Sequence, residues 1–534
     1  MKVNLTSAPH NKKESPACSF TSAGLLLTQG LRALEVSPAW GAVAVDLASM
    51  TGPRTAVDFI ERGPAIGTET GIQQGSSTLN HALLGVYGTG AGLASAWAIN
   101  KAYGGIEAHR IFASSNVVDT FGEVFKKAFE KNSDTAAEET LRKILGSVET
   151  NPGNTVKISQ ETINEIADIH KNTSITDKKS LKEFEKRIHS LILSDTGSES
   201  NFKIVNPKNG KASVLSLQNF IDNTFSILKT FKEDKVKEAF ANGNGDKFLK
   251  SLNSMGIKRS ALGLGIAGVI GLSMQPLNTY RTKKRTGSDG FVGVAGRTKD
   301  RSPEFNMLKT TLALGGFAGV LANIGKPSQW LDKLQFKGMS PTLEQFKLIY
   351  GLTIASRFIA TRDKDELREA AVRDTIGYLS WLVMGNFVSK GVTKMADKSL
   401  IKESWEGKGF FKSTLLTRDE VLQKALKENK IPTVKDGKAL SFKDMMKELK
   451  ALSQNKEAAA ALKKLRIISW AQAAGYLYSG VVLGFLLPKL NIYMTNKSEV
   501  KRQARIAAQR NSMGMFAPEN SAFIKQNLTK QFLP

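Results

Sequence analysis

Residues 260–284 read SALGLGIAGVIGLSMQPLNTYRTKK, and residues 467–497 read IISWAQAAGYLYSGVVLGFLLPKLNIYMTNK. Each stretch opens with an uncharged, glycine-containing apolar run and closes with the pattern Leu-Asn-x-Tyr-x-Thr-x-Lys, at 277–284 and 490–497. A five-position match arises by chance in a chain of this length. Both copies, however, stand where an apolar segment gives way to a basic one. We interpret the two stretches as a duplicated unit, an apolar helix followed by the motif.

Composition narrows the possible classes of protein. The chain has 534 residues, one cysteine (Cys18) and a net charge of +26. A single cysteine excludes an intramolecular disulfide framework and every multi-cysteine metal site. The positive charge favours anionic partners, either lipid head groups or nucleic acid. Because the first sixteen residues are polar and lack an apolar run, we expect no secretory signal peptide.

Several apolar segments are candidates for membrane spans, since about 20 residues of helix match a hydrocarbon core of roughly 30 Å. They are 82–99, 260–277, 310–325, 346–360, 375–388 and 467–487. Their clustered glycines would let neighbouring helices approach closely in lipid. The span at 346–360 is the weakest, because Lys347 and Arg357 lie within it. With that span the two motif copies are parallel, and without it they are antiparallel.

The remaining sequence divides by polarity. We predict an N-terminal amphipathic helical region (1–77), a first hydrophobic helix (78–103), a polar helical insert (104–256), a hydrophobic helix with the first motif and a basic glycine-rich loop (257–307), hydrophobic helices with a charged connector (308–389), a second polar insert (390–466), and a hydrophobic helix with the second motif and a basic tail (467–534). Asp46 inside 39–50 favours an amphipathic helix over a span, and 63–77 has the composition of a loop. Apolar spacing in the first insert predicts helices at 117–131, 136–147, 159–171, 179–193 and 217–242.

The predicted fold is therefore an all-α polytopic membrane protein with about four to six hydrophobic helices, two polar helical inserts and a duplicated helix-plus-motif unit. We place it in a bacterial-type cytoplasmic membrane. With six spans, the positive-inside rule puts the basic loop at 281–301 and both termini in the cytoplasm.

The motif copies supply the candidate binding residues, namely Asn278, Tyr280, Thr282, Lys284, Asn491, Tyr493, Thr495 and Lys497. On a helix, Leu, Tyr and Lys of each copy share one face, and Asn and Thr lie on the adjacent face. One interpretation is a polar cluster that grips an anionic group or a partner where the two units meet. The other is an ordinary membrane boundary, with tyrosine in the aromatic belt and lysine reaching the head groups.

A second candidate is the charged connector. The pairs Arg362–Asp363 and Arg373–Asp374 are 11 residues apart, close to three helical turns, so both pairs are predicted on one face.

Other motifs are weaker. Gly263, Gly265 and Gly268 match the dinucleotide fingerprint, but a basic pair rather than a strand precedes them, so tight packing of a membrane helix is the better interpretation. Glu185 and His189, four apart on a predicted helix, are typical of a surface pair. We predict no catalytic residue, metal or cofactor.

Function is constrained less than fold. We expect a non-enzymatic membrane scaffold or a transport- or pore-like protein that contacts anionic lipid and can self-associate through its helices. No acid or base is predicted inside the membrane, which counts against transport. The alternative is a soluble or secreted helical effector or pore-former that inserts glycine-rich helices into a membrane or partner. Nucleic-acid binding is a third possibility, but the basic run at 281–301 lacks interleaved aromatic residues.

Overall fold

The structure is a computed structural model that describes residues 28–512, except 33, 35–37, 105, 151–155, 173–177, 200–201, 295, 406–408, 411 and 436–437. Cys18 and the end of the predicted basic tail, from 513 on, lie outside the described residues. Within them the chain is almost entirely helical, and its sheet consists of two-stranded hairpins. The all-α class is confirmed.

Seven long helices of the described chain form one bundle, in which successive helices run in opposite directions. We label them α1 (38–62), α2 (Pro64–Ala102), α3 (Gly245–Thr286), α4 (Pro303–Ile324), α5 (Leu343–Ala360), α6 (364–396) and α7 (456–512). Three of these helices contain a π-helical segment: Asp46–Thr51 in α1, Leu379–Met384 in α6 and Gly480–Leu486 in α7. The segments of α1 and α6 both pack against that of α7.

Four helices within the described residues are long and apolar enough to cross a membrane: α2, α3, α4 and residues 456–509 of α7. They carry an outward-facing band of exposed Leu, Ile, Val and Phe side chains. Trp97 and Trp470 are exposed at one end of this band, and Tyr280 and Tyr493 at the other. At 1.5 Å per residue, α7 rises about 35 Å between Trp470 and Tyr493, close to the thickness of a bilayer core. The chain is therefore a polytopic helical protein.

The first insert, between α2 and α3, is a helical domain with its own apolar core. Its helices are Ser115–Phe129, Ala136–Ser147, Gln160–Asn172, Lys178–Thr196, Leu217–Phe231 and Asp234–Ala241. All five predicted positions are helical, the last one as two helices. A hairpin of Phe202–Val205 with Ala212–Leu215 was not predicted, because four-residue strands are too short to show a period.

The second insert, between α6 and α7, is smaller. It holds the helices Arg418–Glu428 and Phe442–Ala451 and the hairpins Ile401–Lys402 with Thr414–Leu415 and Val434–Lys435 with Lys438–Ala439. Its Glu420 accepts a hydrogen bond from the backbone N–H of Glu199 in the first insert at 2.7 Å. Both inserts therefore lie at one end of the bundle, the insert end. The connection between α3 and α4, which contains the basic loop, marks the opposite loop end.

The helix α2 corrects one prediction. Residues 64–77 are helical, not a loop, because Gly63 (φ 89°) forms a tight turn and Pro64 takes the first helical position. The polar side chains that suggested a loop face protein instead of solvent. Thr70, for example, donates to Asp58 of α1 at 2.6 Å.

The helix α1 corrects the prediction that residues 39–50 are an amphipathic helix and not a span. Residues 38–62 form a complete traverse of the bundle, antiparallel to α2, and Asp46 is buried in it. The contacts of α1 with α2 fix the direction, since Gly67 meets Phe59 and Gly71 meets Thr55. At the insert end, Arg32 pairs with Asp419 at 2.6 Å.

The helix α5 occupies the weakest predicted span, 346–360, and the predicted span at 375–388 lies within α6. Most of α5 is buried between α3 and α4, and it is polar enough to fall outside the four apolar helices. A helix enclosed by protein does not need the continuous apolar surface that lipid requires, which explains the low hydropathy of the span at 346–360.

Candidate functional site

The most polar interior region lies at the loop end of the bundle, where α1, α2, α3, α5 and α6 enclose a cavity of about 50 Å³. A buried water occupies about 10–15 Å³ on the same measure, so the cavity has room for a few. We call it the chamber. Its ionisable lining residues are Asp58, Arg62, Glu69, Arg357, Arg362, Glu366, Glu369 and Arg373. A second cavity of about 20 Å³ adjoins it through Arg62, Glu369 and Arg373.

Arg362 closes one side of the chamber. Its guanidinium is almost fully buried and donates to Glu69 of α2 at 2.8 Å and to Glu366 at 2.7 Å. Asp363, the next residue, is the N-cap of α6 and accepts from the Glu366 backbone N–H at 2.9 Å. The first pair of the charged connector therefore starts α6 and ties it to α2.

Glu369 is the second anchor. Both of its carboxylate oxygens accept hydrogen bonds from Arg62 of α1. Nη1 of Arg62 donates to Oε2 at 3.1 Å, and Nη2 donates to Oε1. Its backbone carbonyl accepts from Asn491 Nδ2 at 3.2 Å, and its side chain accepts from the Thr495 hydroxyl. The second motif copy thus holds the helix that lines the chamber.

The first motif copy lies on the other side, against α2. Asn278 Nδ2 donates to Ser76 Oγ at 2.9 Å, and Gln275, one turn earlier, donates to Ser77 Oγ at 3.2 Å. Gln275 and Thr279 line the chamber, whereas Asn278 and Thr282 are buried in the contact between the helices.

Matching positions of the two copies have matching environments. Leu277 and Leu490 are both 45% exposed, and Tyr280 and Tyr493 are 64% and 62% exposed. Asn278, Thr282, Asn491 and Thr495 are buried, and Lys284 and Lys497 are exposed. In each copy the Asn donates a hydrogen bond to a neighbouring helix and the Thr is buried, while Leu, Tyr and Lys face outward. The structure therefore does not bring the eight residues into one cluster.

At the loop end, one arginine forms ion pairs with three carboxylates beside the opening of the chamber. Arg297 of the basic loop lies 3.3 Å from Asp363, 2.7 Å from Asp365 and 3.0 Å from Glu499 of α7. The Phe291 ring lies under the guanidinium groups of Arg62 and Arg362, at 5.8 and 5.9 Å. The loop between α3 and α4 therefore covers the chamber and connects it to α7.

The inner end of the chamber holds the second pair of the connector. Asp374 is fully buried and accepts from Arg357 and, at 3.2 Å, from Arg373 Nε. Arg54 of α1 approaches from the opposite side and donates to the Leu483 carbonyl at 2.8 Å. Arg54 and Arg373 both line the smaller cavity, and Arg357 and Arg373 both line the chamber, so the three guanidinium groups lie in the same region.

Deeper in the bundle lies a pair that the sequence prediction excluded. Asp46 Oδ2 lies 3.7 Å from His81 Nδ1 and accepts from Thr78 Oγ1 at 2.8 Å. The expectation that no acid or base lies among the helices of the bundle is therefore wrong. It failed because Asp46 was assigned to a surface helix and His81 lies just before the segment predicted as a span.

The sequence identified Arg362, Asp363, Arg373 and Asp374 as a connector but missed most of their partners. Arg54, Asp58 and Arg62 of α1 recur at four-residue spacing, a signal that could have placed them on one helix face. Glu69 stood in the segment predicted as a loop. No group of three or more His, Cys, Asp or Glu side chains in the described chain is arranged to hold a metal ion.

The glycine fingerprint has a packing role. Gly263 of α3 contacts the backbone of Gly88 in α2, and Gly268 faces Leu352 of α5. Comparison with known proteins finds no matching family model, no similar curated protein and no similar solved structure. The geometry of the chain itself therefore carries the functional argument.

Proposed function

We propose that the protein is an integral membrane protein of the transport or pore type, in which the chamber receives a small hydrophilic solute or ion. The observation that carries this proposal is the charged chamber enclosed by helices whose outer surfaces are apolar. Ionisable residues inside a membrane bundle are costly to bury, and they commonly line substrate or ion pathways.

The contents of the chamber favour transport over a scaffold. A scaffold needs only apolar contacts between helices, such as those of the Gly88 and Gly263 backbones. Here five helices converge on side chains that are charged, hydrogen-bonded and next to open volume. The pair Asp46–His81 continues the line of ionisable groups toward the middle of the bundle.

Orientation follows from charge. Residues 281–301 carry seven Lys or Arg and two Asp, and the positive-inside rule assigns such a short basic segment to the cytoplasm. We propose that the loop end faces the cytoplasm of a bacterial-type membrane and that both inserts lie on the other side. We propose that Lys284 and Lys497, which are exposed and near the exposed Tyr280 and Tyr493, contact anionic lipid head groups.

Cysteine accessibility tests this proposal, because Cys18→Ser leaves a background without thiols. In that background we would place Thr279→Cys, which lines the chamber, or Leu277→Cys, two residues away on the apolar surface. The proteins would be reconstituted in liposomes and treated with a membrane-impermeant thiosulfonate. Ion currents would be recorded by electrophysiology on a solid-supported membrane.

We expect Thr279→Cys to react from the loop end only and its modification to reduce the current. Leu277→Cys should remain unlabelled and unaffected. A Thr279→Cys protein that is unreactive from both sides, with currents no larger than those of empty liposomes, would favour a scaffold. Release of the intact protein from membranes by alkaline carbonate would instead favour the soluble effector.

A further inference from the structure

We propose that the inner end of the chamber, where it meets the smaller cavity, is a binding site for a small free oxyanion, held between Arg373, which lines both cavities, and Arg54, which lines the smaller one. This inference names the chemical class of the solute in the proposed function. It rests on that function only in taking the anion to be the transported solute. The site itself is argued from hydrogen bonds and cavities.

Arg373 supplies the unused binding capacity. Its Nε donates to Asp374, but its two terminal nitrogens have no hydrogen-bond partner among the described residues. The side chain lines both the chamber and the adjoining cavity. A guanidinium presents parallel N–H donors in a planar fork that matches two oxygens of a carboxylate, phosphate or sulfate.

Arg54 gives the second, independent observation. This residue is only 2% exposed, yet its Nη2 atom has no hydrogen-bond partner within the described chain. It also lines the adjoining cavity. An unpaired, buried charged donor is costly unless a ligand or water satisfies it.

The charges around the site favour an anion. The other arginines of the outer chamber are compensated, because Arg62 binds both oxygens of Glu369 and Arg362 binds Glu69 and Glu366. At the inner end, Arg54, Arg357 and Arg373 have Asp374 as their only carboxylate hydrogen-bond partner in the part of the chain that is described. The remaining nearby carboxylate, Asp58, accepts a hydrogen bond from Thr70 at 2.6 Å and lies 3.8 Å from Arg62. Even with Asp58 counted, the three arginines outnumber the two carboxylates Asp374 and Asp58.

Size selects a free anion over a lipid. The two cavities measure about 50 and 20 Å³ and are surrounded by helices, and Phe291 of the loop between α3 and α4 lines the larger one. Such volumes hold a few water molecules, or an anion with a small number of oxygens, and leave no room for acyl chains.

Isothermal titration of the purified full-length protein in detergent tests the site. The titrants would be sodium phosphate, sodium sulfate and sodium formate, with ionic strength held constant by sodium chloride. We expect saturable binding of at least one oxyanion against this chloride background. A short-chain phosphatidylglycerol would be titrated in parallel to detect binding of a lipid phosphate.

The variants identify the location. Arg373→Gln should weaken oxyanion binding at least tenfold, and Arg373→Lys should weaken it nearly as much, because an ammonium keeps the charge but lacks the fork. Arg142→Gln, in the first insert and bonded to Glu138 and Asn164, is the control and should bind like the wild type. If Arg373→Gln does not fold, Arg373→Lys decides the question.

Three results would overturn the proposal: no saturable binding of any of the three oxyanions, equal binding by wild type and Arg373→Lys, or binding of the lipid alone. Binding without any ion current would leave the site intact and reject transport. Ion current without oxyanion binding would support transport and reject the oxyanion site.

Discussion

At the scale of single residues, the chamber is organised by arginines that each bridge two helices. Arg62 joins α1 to α6, and Arg362 joins α6 to α2. Such pairs add little net stability when formed from water, because both charges lose their hydration. They are nevertheless sensitive to the loss of one partner, since the remaining charge is left buried and uncompensated.

Glu369→Ala should therefore destabilise the protein by about 3 kcal/mol, since it leaves Arg62 with only the more distant Asp58, 3.8 Å away, and removes the acceptor of Thr495. Thermal unfolding of the purified protein in detergent measures the change. The double variant Arg62→Met with Glu369→Leu should recover most of the loss. If the double variant is as unstable as the single one, the ion pair is not the cause.

The motif asparagines give a second prediction at this scale. Asn278→Ala and Asn491→Ala each remove one buried hydrogen bond to a neighbouring helix and should cost about 1–2 kcal/mol of unfolding free energy. Combined, they should abolish ion current while expression is retained. Arg281→Ala and Met494→Ala, at positions where the copies differ, are the controls. Equal losses in the controls would show that the motif has no special role.

At the scale of elements, the contact between α2 and α3 depends on individual glycines. A Cβ on Gly263 would lie 3.1 Å from the Cα of Gly88, a backbone atom that cannot move without shifting α2. A Cβ on Gly265 would meet no atom within 4 Å. The two positions are only two residues apart and differ solely in their surroundings.

Gly263→Ala should destabilise the bundle by about 1–3 kcal/mol through overpacking. Gly265→Ala should be neutral or stabilise it by up to about 1 kcal/mol, because alanine is the better helix former. Thermal unfolding of the two purified variants in detergent measures the difference. Equal destabilisation would mean that the helices are not packed at Gly263.

In the first insert, the partly buried Glu185 and the partly buried His170 have opposite effects on how stability depends on pH. Burial and the neighbouring Asp222 raise the pKa of Glu185 from 4.5 to about 7, and burial lowers the pKa of His170 from 6.5 to about 4. The stability from Glu185 is full below pH 4.5 and is lost as the pH rises through about 7. The stability from His170 is full above pH 6.5 and is lost as the pH falls toward about 4.

Glu185→Gln should therefore stabilise the insert at pH 8, by about 1 kcal/mol after allowance for solvent screening of this half-exposed group. At pH 4.5 it should have little effect. Hydrogen exchange of residues 178–196 in the full-length protein, compared with wild type at each pH, measures both. Glu183→Gln, on the exposed face of the same helix, should show no such difference between the two pH values.

At the scale of the whole molecule, the sequence predicted the helical class, the most apolar spans and both inserts. These features can be predicted because apolar runs and their glycines are contiguous in the sequence. It did not predict that α1 is a traverse or that α2 begins at Pro64, because the polar side chains that mark those segments are satisfied by residues distant in sequence. Asp58 is bound by Thr70, Glu69 by Arg362, and no local pattern contains such pairs.

The number of traverses has a measurable consequence for topology. Six spans predicted both termini on one side, whereas α1 begins at the insert end and α7 ends at the loop end. In a Cys18→Ser background, Gly30→Cys and Lys447→Cys should therefore be labelled from the same side of the membrane. Lys299→Cys, in the basic loop, should be labelled from the other. Labelling of Gly30→Cys together with Lys299→Cys would contradict the seven-helix arrangement.

The π-helical segments also bear on which changes in chain length the protein tolerates. A π turn accommodates one residue more than an α turn, so a segment such as Asp46–Thr51 is the form that a one-residue insertion takes within an otherwise regular helix. Deleting Ala48 should restore an α turn and leave Asp58 facing the chamber. Deleting Ala56, outside the segment, should rotate the residues after it by about 100° relative to those before it, which turns Arg62 away from Glu369. Insertions and deletions in relatives of this chain should accordingly concentrate at the three π segments.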